Sequence, residues 1–278
     1  MTPHPPQGNP GNHFSRLVQH WSQFGPPLRP SPSDTAVVED AIARLPAQPR
    51  AIVLGLTPET IACAWPAGTA LLALDHDPAM VARLWPNPGA PAQAQVALAQ
   101  WQHMPVADAS VDIVCADGCH TPLTFPEGFA ALAREVARVL RRGGVFVARV
   151  FVRPGEVAEP LEAIAGDMAS GSIGSVHALK LRLLAALHGR GGNGTGLHEV
   201  WQTWKQLPAL PARQRGTRGW TEAELQGIES YAGLATRYHL PTLRELQALH
   251  QDLFELADCV FGHYPQAEQC PTLPLRKR

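Results

Sequence analysis

The sequence has no surplus of charge, with 23 Lys and Arg against 24 Asp and Glu. A balanced surface lacks the basic field that gathers nucleic acid or an anionic membrane, so neither is expected as a partner. Apolar runs approaching the ~20 residues that cross a bilayer are missing too. The opening MTPHPPQGNPGNHF has neither a basic n-region nor an apolar h-region; it reads as a flexible arm over residues 1–30 rather than a signal peptide, and the chain as cytoplasmic. Cysteine is scarce: Cys63, Cys115, Cys119, Cys259 and Cys270 are odd in number and form no CxxC, so reduced thiols are expected. With no HxxxH and no Cys/His ligand cluster, no metal site is expected. A small-molecule substrate is the remaining default.

What is present is 45% hydrophobic content over 278 residues, enough for one large domain with an insertion. SPSDTAVVEDAIARL carries helix-start chemistry in Ser31, Pro32 and Asp34 and leads into a strand at Ala51–Leu56. TALLALD is a second buried strand ending at Asp75, followed by a helix with Asp77 as cap and Pro78 at its first position. A short strand near Val96–Leu98 precedes VDIVCAD, a continuous apolar run typical of a strand buried on both faces. PEGFAALAREVARVLRRGG predicts a helix ended by Gly143, and VFVARVFV another strand.

This alternation predicts an α/β fold with a Rossmann-like, mostly parallel sheet of about seven strands, the last antiparallel. Helical patterns alone fill 154–241, an insertion after strand five that reads as a substrate lid; its Trp201, Trp204, Trp220 and Tyr231 stand mostly at core spacing, and HGRGGNGTG reads as a mobile loop. The core resumes over 242–278 with a helix capped by Thr242 and strands near Phe254–Tyr264 and Thr272–Leu275.

The turn after the first strand is short of glycine. AIVLGLTPET offers Gly55 alone where a dinucleotide fold needs G-x-G-x-x-G, and Pro58 has no N–H for a phosphate, which disfavours NAD, NADP and FAD. Read as helix chemistry, Thr57 is an N-cap, Pro58 the first helical residue and Glu59 a first-turn acid. Asp75, 20 residues after Gly55, has the separation of an acid that accepts from ribose hydroxyls, although an Asp after a strand also caps helices. S-adenosylmethionine carries a ribose, a positive sulfonium and no phosphate, and suits such a turn.

On LLALDHDPAMV, WQHMPVADASVDIVCADG and EGFAALAREVARVLRRGGVFVARV, residues 31–153 and 242–278 resemble the class I S-adenosylmethionine-dependent methyltransferases (EC 2.1.1.-), with a degenerate glycine motif. The resemblance implies that Gly55 and Thr57 lie against the methionine moiety, Asp75 holds the ribose, His76 and Met80 flank the adenine, and Gln100 with Trp101 meets the adenine edge. It places Asp117 near the methionine group, and Arg29 of the arm is a candidate fork for the cofactor carboxylate. A proline-stiffened arm with packed Trp21 and Phe24 explains the same stretch equally well.

Methyl displacement relies on alignment, with an optional base. His120 in DGCH is the first candidate base; Tyr238 and His239, before Pro241, are the second, although loop packing explains each of the three as well. Cys115 and Cys119 raise an arsenic methyltransferase, but Cys115 sits in an apolar strand where cysteine acts as a small hydrophobe. Three functions remain open: methyl transfer to a small-molecule acceptor, releasing S-adenosylhomocysteine; another S-adenosylmethionine reaction such as aminocarboxypropyl transfer; and a non-catalytic binding or partner subunit. The oligomeric state and the methylated atom are not legible.

Overall fold

The computed structural model describes residues 13–14, 16, 18–190, 193–208 and 220–278. The first part of the expected arm, 1–12, and part of the glycine-rich loop, 191–192, lie outside them.

Seven strands form one sheet. The first five are β1 (Arg50–Leu54), β2 (Ala70–Asp75), β3 (Gln95–Leu98), β4 (Val111–Asp117) and β5 (Leu140–Arg149). They pair in parallel in the order β3-β2-β1-β4-β5. The helices between them are α1 (Pro32–Ile42) before β1, α2 (Pro58–Ile61) after it, α3 (Pro78–Leu84) after β2 and α4 (Glu127–Val139) after β4.

The strands are apolar on both faces because both are covered. Ile52, Leu54, Val114 and Phe146 pack toward α4, whereas Ala51, Val53, Cys115 and Val147 pack toward α1 and α3. All five cysteines are free thiols.

The helix expected to run to Gly143 stops at Val139, because Leu140 turns extended and pairs with Val111. Gly143 and Gly144 instead lie within β5, at a register shift in its pairing with β4. Gly143 adopts φ +74°, and a Cβ on Gly144 would come within 2.9 Å of the Arg141 carbonyl oxygen.

The insertion folds as α5 (Leu161–Ser170), α6 (Val176–Ala186), α7 (Leu197–Gln206) and α8 (Glu222–Glu229) around its own core. It also holds a two-stranded ribbon, β6 (Thr195–Gly196) with β7 (Arg237–Tyr238), too short to leave a period in the sequence. Trp220 and Tyr231 are buried in that core, while half-buried Trp201 and Trp204 both donate their indole N–H to Glu229.

After α9 (Leu243–His250), β8 (Phe254–Leu256) and β9 (Thr272–Lys277) complete the sheet, β9 antiparallel to both β5 and β8. The strand expected to reach Tyr264 is interrupted where the Asp258 carboxylate accepts the Cys259 N–H, and pairing returns only as an isolated bridge at Val260.

Arg149, at the end of β5, is 3% exposed and ties the arm to the sheet. Its guanidinium pairs with Asp117 of β4 at 2.5 Å and donates to the carbonyls of Pro27 and Arg29, while Asp34 of α1 lies 3.7 Å from its Nε. A buried cation persists only when its donors are met in this way.

His120 departs from its expected role as a base. It is 1% exposed, packed among Phe129, Phe146 and His250, on the α4 side of the sheet and away from the crevice. Burial, reinforced by neighbouring His250, pushes its imidazole down to about 3.

Two outcomes follow from these buried groups. Arg149→Met strands Asp117 and two carbonyls and should cost about 3–5 kcal/mol in urea unfolding. His120 is neutral in the folded chain and protonates in the unfolded one below about 6.5, so stability is complete above that pH and is lost as pH falls toward 3. At pH 5 this one residue accounts for about 2 kcal/mol of loss. His120→Phe should flatten the slope between pH 7 and 5 by about that amount, and an unchanged slope contradicts the assignment.

Candidate active site

The carboxyl ends of β1, β2 and β4 meet where the strand order reverses, with β1 flanked by β2 on one side and β4 on the other. Open parallel sheets form a ligand crevice at such a point. Gly55 leaves β1 at φ +80°, and its N–H donates to the Leu74 carbonyl at 2.8 Å. Thr57 precedes Pro58 at the start of α2, yet its hydroxyl does not cap that helix. It donates instead to Asp117 Oδ2 at 3.4 Å, linking the first turn to β4 and correcting the expected side-chain cap.

Asp75 ends β2 at 3% exposure and accepts the Asp77 N–H at 2.9 Å. Burial pushes its carboxyl up to about 6, against the pull of the neighbouring backbone N–H groups. Capping of α3 belongs to Asp77, which accepts from the N–H groups of Ala79 and Met80, so Asp75 is not used as a cap.

Trp101 is buried and donates its indole N–H to the Leu74 carbonyl at 2.9 Å, holding its ring at the crevice wall beside Met80. His76 stands edge-on between Trp101 and Phe14 and does not line the cavity. Gln100, expected at the adenine edge, is exposed and absent from the lining, because Trp101 takes the inward position.

The arm closes the crevice from above. Phe14, Trp21 and Leu28 contribute to its lining, and the 3-10 helix Val18–Gln23 is anchored to the insertion where the Gln23 carbonyl meets His177 Nε2 at 3.0 Å. Arg29, expected to fork a ligand carboxylate, pairs with Glu59 of α2 at 2.5 Å and lies over the Trp21 ring. Its charge is answered within the protein.

The cavity, partly open to solvent, is about 110 Å³, where small-molecule sites run to roughly 300–1,000 Å³. A cofactor of adenosine size therefore requires the arm's side chains to move outward.

Of the two residues expected before Pro241, Tyr238 lines the cavity and His239 does not. His239 is buried beside Gly194, with its backbone N–H bound to the Thr121 carbonyl, a packing position that corrects its expected role. Tyr238 shares a 2.5 Å hydrogen bond with Nε2 of His13, a residue of the arm.

His13, Thr121 and Arg149 escaped the sequence reading. Arg149 alone left a local signal, as a charge inside an apolar strand. Among the described residues no group of three or more His, Cys, Asp or Glu could hold a metal ion.

A search of curated proteins finds no match to the chain. Three solved structures share its fold. A Rhodobacter sphaeroides protein described as a Zn-dependent alcohol dehydrogenase superposes at a TM-score of 0.60 and 14% identity, covering 96% of this chain and 99% of that one. The [4+2]-cyclase SpnF gives 0.55 and 12%, covering 100% and 98%. The N-methyltransferase NodS from Bradyrhizobium japonicum, solved with S-adenosylhomocysteine, gives 0.54 and 10%, covering 96% and 98%. Their differing activities illustrate that such likeness establishes architecture only. Residues 54–148, from the end of β1 to the end of β5, match the family model described as a methyltransferase domain. That match lies on a seven-stranded, Rossmann-like sheet of this order, with a crevice at its switch point, so residues 54–148 resemble a methyltransferase domain.

Proposed function

We propose that the chain transfers a methyl group from S-adenosylmethionine to a small-molecule acceptor, with the insertion and arm enclosing the acceptor. The observation that carries this reading is Asp75, a buried carboxylate at the crevice that no helix end consumes. Its free acceptor capacity suits ribose hydroxyls. Met80 and Trp101 offer an apolar wall for a purine, and Gly55 a backbone open to close approach, with nothing within 4 Å of a Cβ built there.

When bound, S-adenosylmethionine supplies an electrophilic methyl on a sulfonium, and the protein's part is to hold the partners in line and exclude water. Asp117, oriented by Arg149 and Thr57, sets a carboxylate near the methionine end. The arm's Phe14, Trp21 and Leu28 exclude solvent. Neither His120 nor His239 is assigned a catalytic part, and Tyr238 is the candidate that faces the cavity.

Titration calorimetry with S-adenosylhomocysteine tests the reading. Wild type is expected to bind, and Asp75→Asn to weaken binding about 10- to 100-fold, the loss of charge-assisted hydrogen bonds. Because burial raises Asp75 to about 6, wild-type affinity should hold above that pH and fall below it, while the Asn variant stays flat. Absence of binding to wild type sinks the proposal. Release of methylthioadenosine in place of S-adenosylhomocysteine on turnover would instead establish aminocarboxypropyl chemistry.

A further inference from the structure

Two hydroxyl-bearing residues, Thr121 and Tyr238, line the same cavity as Asp75. Thr121, in the loop after β4, is 3% exposed, lines the cavity, and its Oγ1 has no hydrogen-bond partner among the described residues. Tyr238, on β7, lines the same cavity, and the bond from the His239 N–H to the Thr121 carbonyl at 2.9 Å holds the two segments side by side. A buried hydroxyl without a partner is costly, so an unmatched one facing a cavity marks a place where a ligand atom completes the bond.

His13 decides which way the Tyr238 proton faces. Burial, with the charges of Lys180 and Arg16, pushes its imidazole down to about 3, so the ring is neutral and carries a single N–H. Its Nδ1 has no partner among the described residues. A bare lone pair is tolerated more readily in a protein interior than an orphaned N–H, which favours the proton on Nε2, donated to the Tyr238 oxygen. The Tyr238 O–H is then left to donate to a ligand.

Lys180 is fully buried behind Tyr231, its Nζ 4.5 Å from that ring, bonded to the Gly227 carbonyl and with no carboxylate in ion-pair range among the described residues. Arg16 donates to the Ser230 and Ala232 carbonyls close by. Burial pushes Lys180 down to about 7, so it carries its charge only in part near neutral pH, and neither it nor Arg16 lines the cavity, which Asp75 and Asp117 do. Phe14, Phe151 and Pro122 are also among its lining residues.

We propose that Thr121 and Tyr238 form a paired hydroxyl donor for the acceptor, that His13 is the positioning residue for Tyr238, and that the acceptor is a flat apolar molecule bearing an oxygen anion of the phenolate or enolate type. This deepens, and rests on, the methyl-transfer reading. Such an acceptor loses its proton to water before it binds, so the site needs no base. The oxygen anion forms the new bond to the methyl carbon as the carbon–sulfur bond breaks, and the electron pair of that bond stays on sulfur.

The probe is 4-nitrophenol, whose phenol and phenolate forms absorb at different wavelengths, titrated at near-neutral pH into protein saturated with S-adenosylhomocysteine. Wild type is expected to bind it as the phenolate. Tyr238→Phe and Thr121→Val should each weaken that binding about tenfold, the scale of one hydrogen bond to a charged group. His13→Leu should match Tyr238→Phe, the double variant should lose no more than either, and His13→Gln, which keeps an N–H, should recover most of the affinity. Thr121→Val conserves shape and preserves the test if Tyr238→Phe fails to fold. Binding of the neutral phenol, no binding to wild type, or equal binding to all variants overturns the proposal. Failure of S-adenosylhomocysteine itself to bind overturns the methyl-transfer reading instead.

Discussion

The Arg149 guanidinium is the point on which the rest of the site depends. Burying it at the end of β5 demands that its donors be met, and the partners come from three separate elements. Asp117 answers from β4, Asp34 lies near from α1, and the carbonyls of Pro27 and Arg29 come from the arm. Satisfying one charge thus draws the N-terminal segment over the crevice and orients the carboxylate at its rim. The Phe151 ring covers the remaining face at 5.3 Å.

From that anchor the arm runs across both halves of the molecule. Arg29 reaches Glu59 on the sheet side, while the Gln23 carbonyl, Arg16 and His13 engage the insertion. The cavity between is lined by the carboxyl groups of Asp75 and Asp117 and by the hydroxyl-bearing Thr121 and Tyr238. The cavity that the arm helps to line is about 110 Å³.

The sheet was legible because its strands are apolar on both faces and are separated by helix caps with specific chemistry. VDIVCAD and TALLALD are β4 and β2 as read. Errors arose where one residue type serves two ends. Gly143 reads as a helix stop, yet Leu140 already pairs with Val111 and the glycine belongs to a strand irregularity. Thr57 reads as a cap, but Asp117 competes for its hydroxyl. His120 leaves β4 at the correct end of the sheet and then turns to the wrong face, a choice that loop sequence does not encode.

By itself the sequence determined the layered α/β class and the mostly parallel sheet implied by its alternation, and it pointed to Gly55 and Asp75 at the strand ends. Those features follow from periodicity and local backbone chemistry, which act over a few residues. Only the tertiary structure decided that Arg29 is answered by Glu59, that Trp101 rather than Gln100 faces inward, and that Thr121 and Tyr238 line one cavity with His13 bonded to the Tyr238 hydroxyl. His13 and Tyr238 are 225 positions apart, and no local propensity spans that distance. Their meeting depends on buried charges and hydroxyls finding partners once the chain has closed.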